Sequence, residues 1–489
     1  MYLSKKVCLI AMAILCSALA QNARAEKTDT ITQYGITWKL SQPTEVGQFV
    51  TGDYYVVGDC EVVSVTPPPG NGRNGCELNP PLDDNHSGYD SREEGHRYDA
   101  KMCTPLPVRM KPGDALMSTI SVTDQEYKTT TRRWLRKMVV SPCPVKSACV
   151  LTCLAAAVPA DAFRPSYCDR SQKIYLASNL KRNLLPSLPY GRDTVDTDLG
   201  PVSLKELEDH YMRVWLDLVF FSFDAPVEYQ PQYGRELTEA PGLATLLLET
   251  DLPLERKERL LIGVVQNGID LWGIVRAGFH GWQAHGGHGS GRKWPIVFAG
   301  MMLGDDEMAS PTKTYPKVQF GEDMQTLFKR SWTGANVVYA GHNGVDRNGE
   351  DVNKKQPGWG QYEHLQPKDW PIDPDEPGMN EGYRRLNGPP WVGEALAARI
   401  MHAEKYWDHD AFFAYVDRWM TEDDAPFRKI IQEQTTFPPY PSRGLTYPSY
   451  DWQRQTWYPF VMEMWNKYRD NLPPGPNGEK TPPAETTWK

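Results

Sequence analysis

After its first 25 residues the chain has no segment long and apolar enough to span a bilayer, so nothing in it reads as a transmembrane helix. It is short of positive charge as well. Lys and Arg number 53 against 62 Asp and Glu, and no basic stripe stands out, which argues against nucleic acid as a partner. An anionic substrate stays open, because a local basic pocket can focus potential against the overall charge. Two organisational features are missing too. No repeat of fixed period runs along the chain, which argues against a simple solenoid. Nor do strands alternate with helices, which argues against a parallel α/β sheet.

What is present begins with an export signal. Lys5 and Lys6 precede the apolar run Val7 to Ala20, and Ala23-Arg24-Ala25 has the small-x-small form of a cleavage site. Leu15 before Cys16 argues against a lipoprotein signal. Removing Lys5, Lys6 and Arg24 leaves 50 basic against 62 acidic residues, a balance of −12. The expected product is soluble and exported, periplasmic or secreted, with no membrane partner once the signal is gone. Seven cysteines remain, Cys60, Cys76, Cys103, Cys143, Cys149, Cys153 and Cys168, all in the first third of the chain. Export favours disulfides, and Cys60 with Cys76 could close a hairpin-like loop. The odd count leaves one thiol over. Zinc at Cys143, Cys149, Cys153 and Cys168 is disfavoured by spacings that fit no tight knuckle.

About 460 mature residues predict two domains. Residues 26–125 read as a β-sandwich-like domain: Ile36–Leu40, Tyr54–Val57, Cys60–Val65 and Ala115–Val122 are β-branched or aromatic runs separated by Pro- and Gly-rich turns. Residues 126–200 form a cysteine-containing connection. From 201 to 475 the period is helical, opening on the capping box Ser203-Leu-Lys-Glu206. Helices are expected at Leu204–Leu218, after Pro253, and at 294–303, 321–332, 390–406, 410–420, 425–433 and 453–469. Helix after helix on loops of unequal length fits an α/α toroid or an irregular bundle, and 476–489 reads as a flexible tail. The fold class is therefore multidomain α+β, a β-sandwich-like domain followed by an α/α toroid.

Chemistry concentrates in a few glycine-bordered loops. His280-Gly-Trp-Gln-Ala-His285-Gly-Gly-His288-Gly-Ser-Gly-Arg292 holds three of the ten histidines among five glycines. A packed core gains little from such a run, whereas a substrate-handling loop gains close backbone approach. A second loop, Asn336-Val-Val-Tyr339-Ala-Gly-His342-Asn343-Gly-Val-Asp-Arg347, is followed by Gln361-Tyr-Glu-His364 and by Gly382-Tyr383-Arg384-Arg385. Three reactions compete for these residues. β-Elimination from a uronic-acid polymer needs a neutraliser for the carboxylate, a base for the C5 proton and an acid for the leaving oxygen, and Arg, Asn, Gln, His and Tyr supply them. Glycoside hydrolysis needs two flanking carboxyls, and Asp270, Asp346, Glu350, Glu363 and Glu394 form no recognisable pair. A metal site at His280, His285 and His288 has loose spacing and no intervening acid. Elimination fits best, with no cofactor and no metal; a glycoside hydrolase on a helical toroid and a non-catalytic glycan-binding protein are the alternatives.

The run Gly286-Gly-His-Gly-Ser-Gly-Arg-Lys-Trp-Pro-Ile-Val-Phe-Ala-Gly300 resembles helical-toroid polysaccharide lyases of the glucuronan and alginate type. Gln232-Tyr233-Gly-Arg235, Gln266-Asn267-Gly-Ile-Asp-Leu-Trp-Gly273 and Trp391–Arg399 extend the resemblance over roughly residues 200–470. It implies a central cleft for an acidic polysaccharide, with His288 as base or carboxylate partner, Tyr339 as proton-transfer tyrosine and Arg292 as positioning cation. Gln232, Tyr233, Arg235, Asn267, His285, His342, Asn343, Tyr383 and Arg384 would bind substrate. Gln232 stands where an asparagine is expected, which makes Asn267 the rival neutraliser.

Overall fold

The computed structural model describes residues 26–82, 86–92, 97–129, 132–134, 137–139, 143–190, 203–217, 227–231, 234–355, 357–371, 379–433, 458–475 and 480–489. The signal segment with Cys8 and Cys16, together with Gln232 and Tyr233 and the side chain of Arg235, lies outside the described residues.

The N-terminal part is one curled sheet. Its strands are β1 (Glu26–Gln33), β2 (Ile36–Gln48), β3 (Tyr54–Val57), β4 (Cys60–Thr66), β5 (Cys76–Leu78), β6 (Val108–Met110), β7 (Ala115–Ser121) and β8 (Val145–Leu154). They run in the order β5-β7-β8-β3-β2-β4-β6, with β1 on β2. All pairings are antiparallel except β8 on β3. Alternation sends Ile36, Trp38 and Leu40 of β2 to the inner face. They meet Leu116, Cys149 and Leu151 from the far side of the sheet, so the sheet wraps its own core. The Trp38 indole N–H donates across that interior to Ser118 Oγ at 2.9 Å. Where a sandwich predicts two facing sheets, curling brings one sheet's two halves together. Its strand β8 comes from the segment read as a connection, and the run Ala148–Leu154 is buried without interruption. Both faces of β8 are covered: Cys149 and Leu151 look into the curl, Ala148 and Val150 onto the helices.

The described residues from 203 onward are mainly helical, and the α+β class holds. The named helices are α1 (Leu204–Tyr211), α2 (Gly234–Leu248), α3 (Leu254–Arg276), α4 (Lys293–Leu303), α5 (Gly321–Met324), α6 (Met379–Ile400), α7 (Asp410–Thr421), α8 (Ala425–Glu433) and α9 (Pro459–Tyr468). Ser203 caps α1, its hydroxyl accepting from the Glu206 N–H at 3.2 Å. Helix α3 is buried from Leu260 to Val275 nearly all round, and α2 lies against both α3 and α6. The α2–α6 crossing is close because it places Gly242 against Gly393; a Cβ on Gly242 would sit 2.8 Å from the Glu394 nitrogen. One guanidinium joins sheet to helices. Arg164 donates to Asp53 Oδ2 at 2.8 Å and to both Asp270 carboxylate oxygens on α3, at 3.0 and 2.7 Å.

Several expected boundaries shift. The helix expected at 321–332 ends after one turn, and Thr326–Phe328 (β9) instead pairs antiparallel with Val337–Tyr339 (β10). Tertiary pairing outweighs helical propensity there. Helix α6 begins eleven residues before Pro390 and carries Pro389 and Pro390 inside it. Pro241 likewise sits within α2, a helix the apolar spacing alone did not bring out. Helix α1 stops at Tyr211. Residues 480–489 are docked rather than loose: Thr487 Oγ1 donates to the Asp417 carboxylate and the Trp488 indole donates to Thr421 Oγ1 at 2.8 Å. Among the described residues no helix is long and apolar enough to cross a membrane.

Candidate active site

The two histidine loops meet. The Gly286 N–H donates to the His342 carbonyl at 3.0 Å, and both carbonyls of that contact are clamped from behind. Gln325, just past α5, donates its side-chain amide to Gly286 O at 2.6 Å and His342 O at 3.0 Å. Asn387 of α6 donates to Gly286 O at 2.9 Å and to Gln325 Oε1 at 3.1 Å. Gly286 holds φ +61°, and a Cβ there would strike the Tyr383 ring at 2.3 Å, so glycine is required twice over. The start of α2 closes the other side, with Gly234 set against Gly287.

This frame gathers six side chains. His285 stands edge-on to His342 at 4.7 Å between ring centroids and stacks on His288 at 5.7 Å. His342 is flanked by Trp359 at 4.2 Å and Tyr383 at 4.4 Å, both edge-on. The His342 Nδ1–H donates to Asn343 Oδ1 at 2.9 Å, which puts the ring's lone pair on Nε2. His342 and Asn343 are buried and form a floor; His285, His288, Trp359 and Tyr383 are half-buried and form a rim. Burial pushes the His342 imidazole down to about 3, helped by the neighbouring His285. Burial also holds His285 below the usual histidine value, against an opposing hydrogen bond to Asn343. Both rings are therefore neutral near pH 7, as a proton acceptor must be.

Other expected site residues do different work. Tyr339 is fully buried in β10; its hydroxyl accepts from Gln325 at 3.0 Å and Asn387 at 3.1 Å, and its ring packs 6.2 Å from both Trp391 and Tyr415. It is a keystone of the clamp, not a rim group, because strand pairing turns it inward. Arg292 is 2% exposed and engaged throughout: Nε and Nη2 donate to the Asp217 carboxylate, and Nη1 to the carbonyls of His288 and Ser290. It shapes the loop instead of meeting a ligand. Arg384 is similarly committed, with two donations to Glu381 at 2.9 and 2.8 Å. Asn267 lies in the buried stretch of α3, its Oδ1 without a hydrogen-bond partner. His280 is exposed at the loop's start, 4.8 Å from the Phe279 ring. Among the described residues no group of three or more His, Cys, Asp or Glu side chains is arranged to hold a metal ion.

Sequence reasoning passed over Trp359, Gln325, Asn387 and Asp217. Trp359 did carry a signal, standing between Gly358 and Gly360 as His288 stands between glycines. It also passed over Glu322. With Glu394 this residue lies beneath the glycine loop: Gly321 donates its N–H to Gly289 O at 3.1 Å, and the Trp391 indole reaches Ser290 Oγ at 3.3 Å. Both carboxyls are fully buried, and none of their four oxygens has a hydrogen-bond partner. Burial, then the nearby Asp323, pushes Glu322 up to about 8; burial, then Glu322, holds Glu394 well above the carboxylate range. Both are neutral acids at pH 7, enclosed away from any substrate.

Comparison with known protein families, with characterised proteins and with solved structures finds no match for this chain.

Proposed function

We propose that the chain is an exported polysaccharide lyase that cleaves a uronic-acid polymer by β-elimination, its helical region being an α/α toroid. The observation that carries this reading is the contact of two neutral histidines with Asn343 and Tyr383, a buried floor under a half-buried rim. Elimination uses these groups in order. A histidine takes the C5 proton, His285 or His288 being the rings on the rim. The Asn343 amide is the group suited to the substrate carboxylate, whose negative charge grows as the proton leaves. The electrons of the C5–H bond form the C4–C5 double bond, the C4–O bond breaks, and the Tyr383 hydroxyl protonates the leaving oxygen. Trp359 offers the flat face on which a sugar ring stacks. The same reading moves the tyrosine role from Tyr339 to Tyr383 and leaves Arg292 as support.

Incubation of the purified chain with glucuronan, polymannuronate and pectate, followed by absorbance of the unsaturated uronyl product, tests the reading. A rise on at least one polymer is expected. Reducing ends without that chromophore would mean hydrolysis, and binding without turnover would mean a glycan-binding protein; either result removes the lyase.

A further inference from the structure

We infer that Cys60 with Cys153, and Cys76 with Cys103, are two disulfide-forming pairs, closed by exchange with a disulfide oxidant, while Cys143, Cys149 and Cys168 remain thiols. The first pair lies inside the curled sheet, where both residues belong to the same buried core. Cys153 Sγ donates to the carbonyl of Gly58 at 3.2 Å, two residues before Cys60, which sets the two thiols beside each other. The backbone around them is already fixed, with the Gly58 N–H donating to Leu154 O at 2.8 Å and the Cys153 N–H to Asp114 O at 2.8 Å. A bond therefore needs side-chain rotation and little else.

The second pair lies at the sheet's edge. Beside β5, the Thr104 N–H donates to the Cys76 carbonyl and the Thr104 hydroxyl accepts from the Leu78 N–H at 2.7 Å. That register brings Cys103 alongside Cys76, whose N–H points at the Cys103 sulfur. Closing it would tie the long 79–102 connection to an edge strand that has a partner on one side only. The remaining cysteines have other neighbours: Cys143 donates to Val145 O, Cys149 to Gln33 O, and Cys168 sits in the core shared with the helices.

The chemistry balances as ordinary exchange. One cysteine thiolate attacks the oxidant's disulfide and expels a thiolate. The second cysteine, having lost its proton, attacks the mixed disulfide and expels the other. Two protein thiols lose two electrons and two protons, and the oxidant gains them as two thiols. In the first pair the neighbouring Cys153 thiol holds the Cys60 thiol below its ordinary value, which makes Cys60 the first attacker. In the second, Cys103 is the half-buried partner and meets the oxidant first.

The test uses the full chain and does not depend on any lyase activity. The protein is incubated with oxidised glutathione, unfolded, alkylated without reduction and mapped by mass spectrometry. Of the seven cysteines after residue 25, three are expected to label, rising to seven after reduction, with peptides linked through Cys60–Cys153 and Cys76–Cys103. In a Cys153→Ser variant a fourth label is expected, on Cys60. Seven labels before reduction, or a Cys60–Cys76 link in either protein, overturns the inference.

Discussion

Arg292 and Asp217 face each other with two parallel hydrogen bonds, Nε to Oδ2 at 2.8 Å and Nη2 to Oδ1 at 3.1 Å, both residues buried. Removing one partner leaves the other charge uncompensated, a loss on the order of 3–5 kcal/mol. Arg292→Met and Asp217→Asn should therefore each lower the urea midpoint strongly, and the double variant should lose less than the two singles together. Arg292→Lys should fall short of full rescue, since an ammonium cannot reproduce the fork. A variant of Arg292 with normal stability and no turnover would return Arg292 to the substrate.

The two tyrosines separate by the same logic. Tyr383→Phe removes a rim hydroxyl and should cut turnover by roughly 10²–10⁴ while leaving the melting temperature near that of the parent. Tyr339→Phe removes the acceptor shared by Gln325 and Asn387, which costs about 0.5–1.5 kcal/mol of stability, since both amides keep other acceptors. Its activity below the new melting point should be retained. Kinetics and thermal unfolding on both variants decide between them, and the reverse pattern would restore Tyr339 as the acid.

Histidine burial makes a prediction about acid. His342 in the folded chain sits at about 3 against 6.5 as its ordinary value, so between those values the unfolded chain binds more protons. Stability from this group is complete above pH 6.5 and falls as pH drops toward 3; His285, shifted in the same direction, adds to the fall. By pH 4.5 the loss assignable to His342 is about 2–3 kcal/mol. Denaturant titrations at a series of pH values, compared with His342→Gln, should show that much less acid sensitivity in the variant. Parallel curves would contradict it.

How far these roles could be read in advance depended on what kind of force sets each one. Runs such as Ile36–Leu40 and Leu204–Tyr211 declare themselves by period, because one buried face is enough to specify a strand or helix. The glycine-rich loop was legible for the same reason in reverse: its composition suits no packed element, and the loop does carry the histidine cluster. Tyr339 and Tyr383 were not separable, since both stand near glycine and only the β9–β10 pairing turns one of them inward. Arg292 was opaque because Asp217, 75 residues away, is joined to it solely by tertiary packing. The clamp of Gln325 and Asn387 left no trace, as an amide bonding to carbonyls looks like any polar residue in sequence.

Glu322 and Glu394 give the alkaline counterpart of the histidine prediction. A carboxyl raised from 4.5 to about 8 contributes stability that is complete below pH 4.5 and is lost as pH rises through 8, because the folded chain holds a proton the unfolded chain releases. Glu322→Gln keeps the size and removes the titration. Its stability relative to the parent should therefore improve with pH, by roughly 2–4 kcal/mol between pH 5 and pH 8. Glu394→Gln should shift the same way, and in the Glu322→Gln variant Glu394 should become easier to ionise, since Glu322 is part of what raises it. Arg292 pulls the other way on both acids, so the Arg292→Met variant should steepen the alkaline loss. Urea midpoints for the parent and the three variants from pH 5 to pH 9 carry the test. If the parent's stability is flat across that range, the two acids are not sharing the buried site as neutral groups.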